Sequence, residues 1–193
     1  MTEDELMVQE GIRYHEQNEL EKATECFRRA AELNNPNGMF LYGISLRHGW
    51  GCESQPTAAF KYLQKAAESA VVDISNGKIP AGVDALTNAS TSGPKAAVAK
   101  KELVLAIHEL GVCFRHGWGV PKNKQTAVYY FELAANMGDP DAQNDLGFCY
   151  YHGEGVKRDL YKAAKYYRLA HKQGVTVMGN SWIFKKKYDN CGA

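Results

Sequence analysis

The chain has 193 residues, 45% of them hydrophobic, and 23 basic against 22 acidic side chains give a net charge of +1. That length supports one domain with a sizeable core. The near-neutral balance excludes a global field pointing to nucleic acid, and no apolar run is long enough to span a bilayer.

Charge is unevenly spread. Residues 1–50 carry nine acids and five bases, net −4, and residues 151–193 carry three acids and nine bases, net +6. Such polarity would steer a partner or favour weak head-to-tail self-association; two solvated faces of opposite sign would look the same. The opening MTEDELMVQE lacks the layout of a secretory signal, so a cytoplasmic or nuclear location is expected. The five cysteines form no CxxC pair, and reduced thiols are expected.

In chain order, residues 4–33 read as a helix, a short turn at Gln17-Asn18 and a second helix opening at Glu19-Leu20. Asn34-Asn35-Pro36-Asn37 breaks the pattern. A second pair contains LYGISLRHGWG and then Ala58 to Ala67. From Ser69 to Pro94 the helical period disappears into a Gly-, Ser-, Thr- and Asn-rich stretch, read as a mobile excursion. The third pair, beginning as early as Lys95, contains ELGVCFRHGWGV. In the fourth, Asp139 is the expected N-cap and Pro140 the first helical residue. The tail VTVMGNSWIFKKKYDNCGA reads as an incomplete unit, with Met178 and Trp182 packing on the fourth pair.

The register can be counted. Gly11, Gly43, Gly111 and Gly147 occupy one position of four first helices. Gly111 to Gly147 is 36 residues, and Gly43 to Gly111 is 68, which is 36 plus an insertion of 32. Gly43 to Ala67, Gly111 to Ala135 and Gly147 to His171 are 24 each. The chain is therefore an array of helix pairs. A Gly on the first helix, followed three residues on by Tyr14, Leu46, Phe114 or Tyr150, sets a large side chain beside a small one. Gly49, Gly117 and Gly153 end first helices, and Gly51, Gly119 and Gly155 let the chain reverse.

The units LG-x-x-Y/F-x-x-G-x-G-V and K-A-x-x-Y-Y-x-x-A resemble Sel1-like repeats, relatives of tetratricopeptide repeats. RHGWG, YYHGEGV and MGNSWIFKKKYD resemble the fungal Sel1-repeat regulatory proteins, of the cell-cycle kinase inhibitor and chitin synthase activator types. The resemblance implies an all-α fold, a right-handed α-α superhelix (solenoid) of Sel1-like, tetratricopeptide-like helix pairs. It also implies a non-enzymatic adaptor. Units are expected at about 4–36, 37–69, 95–138 and 139–174, with an insertion at 70–94 and a C-terminal cap at 175–193.

Candidate sites are few. His48, His116 and His152 precede three turns, but equivalent residues in stacked repeats lie at least one or two helix spacings apart, each about 8–10 Å, too far to share a metal. No nucleophile elbow, phosphate loop or HExxH is present, so no enzymatic activity, metal or cofactor is expected. The first helices of a helix-pair solenoid line its concave side. Positions around each landmark Gly then give a groove of Ile12, His15, Phe40, Ile44, Arg47, His108, Val112, Arg115, Asn144, Phe148 and Tyr151. An apolar stripe beside Arg47 and Arg115 suits a protein segment with an acidic or phosphorylated group. The same periodicity serves an inter-repeat core with solvated arginines. Trp50 and Trp118 share one turn position and either form an exposed edge or pack on a neighbouring turn. The alternative function is a structural or regulatory subunit that docks on an enzyme through this edge or the convex face. Lys185-Lys186-Lys187 reads as a solvated cap, and no nucleic-acid partner or membrane insertion is expected.

Overall fold

The computed structural model describes residues 2–75, 94–176 and 179–189. Eight α-helices and two short 3-10 turns follow in order, with no strand among the described residues. The helices are α1 (Glu3–Glu16), α2 (Leu20–Glu32), α3 (Pro36–His48), α4 (Pro56–Ser75), α5 (Pro94–His116), α6 (Lys124–Asn136), α7 (Pro140–His152) and α8 (Leu160–Lys172). The 3-10 turns, Asn180–Phe184 and Lys186–Tyr188, lie on α8.

Each helix packs on its hairpin partner, and each second helix packs on the next first helix. Consecutive first helices also touch, α1 with α3 and α3 with α5. The result is a right-handed α-α superhelix of four pairs.

The helix ends follow from local chemistry. Asn35 accepts from the Gly38 N–H at 3.0 Å, Asn123 from Thr126 at 3.0 Å and Asp139 from Ala142 at 2.7 Å. Pro36 and Pro140 occupy the first turn, where a missing N–H costs nothing. The three longer turns repeat one hydrogen-bond set. Trp50 donates to the Ser45 carbonyl, Trp118 to Cys113 and Glu154 to Cys149, each at 2.9–3.0 Å. Gln55, Asn123 and Asp159 then donate back to Leu46, Phe114 and Tyr150 at 2.8–2.9 Å.

The core is small against large. Ala23, Ala59, Ala127 and Ala163 are at most 1% exposed. A large side chain from the second helix sits over each landmark glycine. A Cβ at Gly11 would stand 2.5 Å from Phe27, at Gly43 3.1 Å from Leu63, at Gly111 2.8 Å from Phe131 and at Gly147 2.9 Å from Tyr167. Full burial of a side chain such as Phe131 is worth about 1.5–3 kcal/mol, so each pair carries its own anchor.

One difference from the sequence reading concerns the insertion: helix α4 continues to Ser75 instead of ending near residue 69, whereas α5, from Pro94, starts where the third pair was expected to begin. Nothing in Ala-Val-Val-Asp-Ile-Ser breaks a helix; the first strong breaker is Gly77. The excursion from 76 to 93, with Met178 and Cys191, lies outside the described residues. Trp182 lies on the fourth pair, 5.2 Å from the Tyr151 ring and 6.3 Å from Tyr167.

Candidate functional site: the inner face and its repeat junctions

One contact rule runs along the first helices. The residue four positions after each landmark glycine reaches forward to the next unit. His15 meets Trp50 at 5.2 Å between ring centroids, and the Arg47 guanidinium lies 5.2 Å over Trp118. Arg115 pairs with Glu154, which holds the turn position of the tryptophans, at 3.1 Å. Tyr151 meets Trp182 of the cap.

A second rule adds charge. The residue two positions before the next landmark glycine is Glu109 in the third unit and Asp145 in the fourth. Arg47 is paired with Glu109, and Arg115 with Asp145 at 3.2 Å. Arg47 and Arg115 side chains are only 10% and 17% exposed. Both arginines, read from the sequence as cations offered to a partner, are thus engaged between repeats. Arg115 also lies 4.6 Å over Phe148. Lys124 completes the fourth-unit network by pairing with Glu154 at 2.6 Å, and these neighbours hold the Glu154 carboxyl below its usual value.

His108 joins the same seam. Its Nε2 lies 2.9 Å from Asp145 and its Nδ1 3.9 Å from Asp139. Burial opposes its charge, but the Asp145 hydrogen bond and the nearby Asp145, Asp139 and Glu109 charges prevail and raise its pKa. Burial raises that of Asp139.

At the first junction the corresponding residues are His15 and Leu41, so these two positions form no ion pair. A cleft of about 280 Å³ remains there, lined by Ile12, His15, Glu16, Phe27, Leu41, Ser45 and Trp50. Ile12 is 43% exposed and Trp50 37%.

The other groove positions divide. Phe40, Ile44, Val112, Phe148 and Tyr151 are partly buried against the core. Asn144 lines a separate cleft with Tyr167 and His171, and its buried Oδ1 accepts no hydrogen bond among the described residues. Trp118 is 38% exposed and stacks on His116 at 4.6 Å, as Trp50 does on His48 at 4.8 Å. Exposure and packing, offered as alternatives for these tryptophans, coexist. No group of three or more metal-binding side chains occurs among the described residues, and no described helix is long and apolar enough to cross a membrane.

The sequence reading missed the pairing of Glu109, Asp145 and Glu154 with the arginines. Glu109 and Asp145 carried a signal: each sits two residues before its landmark glycine, one unit after an arginine four residues past its own.

The Sel1 repeat profile matches residues 6–35, 36–71, 104–139 and 140–175. The chain belongs to the Sel1-repeat family. Over 186 residues it is 31% identical to "Mitosis inhibitor nif1" of Schizosaccharomyces pombe, an overlap of 92% of this chain and 27% of that protein. Over 181 residues it is 27% identical to "Protein DSF2" of Saccharomyces cerevisiae, an overlap of 93% of this chain and 24% of that protein. The chain therefore spans about a quarter of the length of these curated relatives. Among solved structures it is similar to c5321, a protective antigen of uropathogenic Escherichia coli displaying an SLR fold. The TM-score is 0.67 at 28% identity, covering 90% of this chain and 31% of that one. Sel1-repeat proteins are generally non-enzymatic scaffolds that mediate protein–protein interaction.

Proposed function

We infer that this chain is a non-enzymatic adaptor that holds a segment of a partner protein along its concave side. The observation that carries this reading is the open first junction. There Ile12, His15, Leu41 and Trp50 line a cleft of about 280 Å³ that the fold leaves unfilled. A preformed apolar cleft beside a half-exposed stripe suits one bulky side chain of an extended or helical segment. The arginines shape this surface by holding the units in register, so the anchor is apolar rather than acidic. The S. pombe relative is named a mitosis inhibitor, which favours a partner in intracellular regulation.

A second reading has the exposed Trp118 edge dock on an enzyme, favoured by its 38% exposure. Photo-crosslinking separates the two. A benzophenone side chain placed at residue 12 or 44 should give a discrete partner adduct in cell extract, identified by mass spectrometry. One at Tyr129, 64% exposed on α6, should not. Adducts from 118 alone would favour the edge, and adducts from 129 alone would sink both readings.

A further inference from the structure

The C-terminal end carries a basic cleft that the concave reading does not use. Of its three acids, Glu154 pairs with Arg115 and Lys124, Asp159 caps α8, and Asp189 pairs with Arg168 at 3.0 Å. Lys165, Lys172, Lys185 and Lys186 have no ion pair among the described residues. Residues 151–193 carry nine bases against three acids, and these four lysines belong to that excess.

This charge surrounds an apolar feature. A cleft of about 270 Å³ opens between α8 and the 3-10 cap, where Lys165, Leu169, Lys172 and Phe184 are the lining residues that matter here. Phe184 is 55% exposed. Arg168 fixes the cap by donating from Nε to the Ile183 carbonyl at 2.8 Å and by its pair with Asp189. The wall carrying Phe184 is thus held before any ligand arrives, which lowers the ordering cost of binding.

We propose that this cleft binds an acidic segment of a partner protein, with one bulky apolar side chain seated on Leu169 and Phe184 and carboxylates meeting Lys165 and Lys172. Charge complementarity selects the partner, and the apolar contact separates it from any polyanion. This surface lies on α8 and the cap, so it stands or falls independently of the concave cleft.

The test uses the full chain and a fluorescein-labelled peptide with one central leucine flanked by glutamates, read by anisotropy at two salt concentrations. The peptide should bind, and more weakly at high salt. Replacing its leucine with glycine should weaken binding about tenfold. Lys165→Glu with Lys172→Glu, and separately Phe184→Ser, should weaken it at least as much while helical circular dichroism is unchanged. Phe184→Ser leaves every lysine in place, so it reads the apolar contact alone. Absence of binding, equal binding of the glycine peptide, or binding insensitive to these substitutions would overturn the proposal. So would sedimentation velocity showing self-association that Lys165→Glu abolishes, since the occupant would then be a second copy.

Discussion

The Arg47 guanidinium lies 5.2 Å over the Trp118 ring and is also paired with Glu109, so one side chain of the second unit grips two parts of the third. The grip is 10% exposed at the arginine, where water screens it little. Removing Arg47 leaves Glu109 partly buried and unpaired. Arg47→Ala should therefore lower the unfolding free energy by about 2–4 kcal/mol. Trp118→Ala should couple to it by about 1 kcal/mol in a double-mutant cycle. Urea denaturation of the four proteins checks this. Additive losses would mean that the ring and the guanidinium do not interact. Partner binding lost on Arg47→Ala would report altered repeat geometry as much as a lost contact, so position 12 is the better probe of the groove.

The second glycine of each long turn has a tighter role than reversing the chain. Gly119 has φ of +72°, and a Cβ there would stand 2.1 Å from the Pro56 carbonyl oxygen. Gly51 and Gly155 back onto Leu20 and Lys124 in the same way. Gly119→Ala must both adopt a left-handed conformation and push two repeats apart. The expected loss is about 3 kcal/mol or more. Gly138→Ala is the control, because its φ is +96° but nothing lies within 4 Å. It should lose about 1–2 kcal/mol. Thermal melts of the two variants measure the difference, and equal losses would refute the close-approach argument.

The repeat register was legible because it rests on rigid requirements. A first-helix glycine must admit Phe131 or Tyr167, and a turn glycine must take positive φ, so both recur at fixed spacing. The helix caps at Asp139 and Pro140 were legible for the same local reason. The partners of Arg47 and Arg115 were harder to see. An arginine flanking an apolar stripe reads the same whether its acid belongs to a bound peptide or to the next repeat. Only the offset between units, Arg47 to Glu109 and Arg115 to Asp145, separates the two. The open first junction was hidden likewise, since its cleft exists because Leu41 stands where later units carry an acid. The extra turns of α4 carry no recurring stripe, so periodicity ended before the helix did.

His108 makes the junction between the third and fourth units sensitive to pH. It faces Asp145 and Asp139, with Glu109 on its own helix, and packs 5.6 Å from the Phe131 ring. Its raised pKa means that the folded state holds its proton more tightly than the unfolded chain does. The stabilisation is full below about pH 6.5, the value of an unperturbed histidine, and is lost as pH rises through the folded value. His48 and His116 act in the opposite sense. Burial and then the adjacent Arg47 and Arg115 lower their pKa values, so their contribution is lost as pH falls. A comparison with His108→Gln isolates the first effect. The stability gap between the two proteins should be wider near about pH 5.5 than near about pH 8.5. A gap independent of pH would mean that His108 acts by packing alone.

The thiols offer a readout of how the repeats open. Cys113 and Cys149 sit at one position of successive first helices, 1% and 2% exposed, and burial pushes each thiol up to about 11. Cys26 and Cys52 are half-buried, and burial raises them as well. At a pH of about 8 little thiolate exists at Cys113 or Cys149, and reagent cannot reach it without separating two helices. A disulfide-exchange reagent should therefore modify Cys26 and Cys52 in the folded protein well before Cys113 and Cys149, as read by peptide mass mapping. Arg47→Ala loosens the junction beside Cys113, so it should speed labelling of Cys113 more than that of Cys149. Equal acceleration at both would indicate that the array opens as one unit, with no separable junctions.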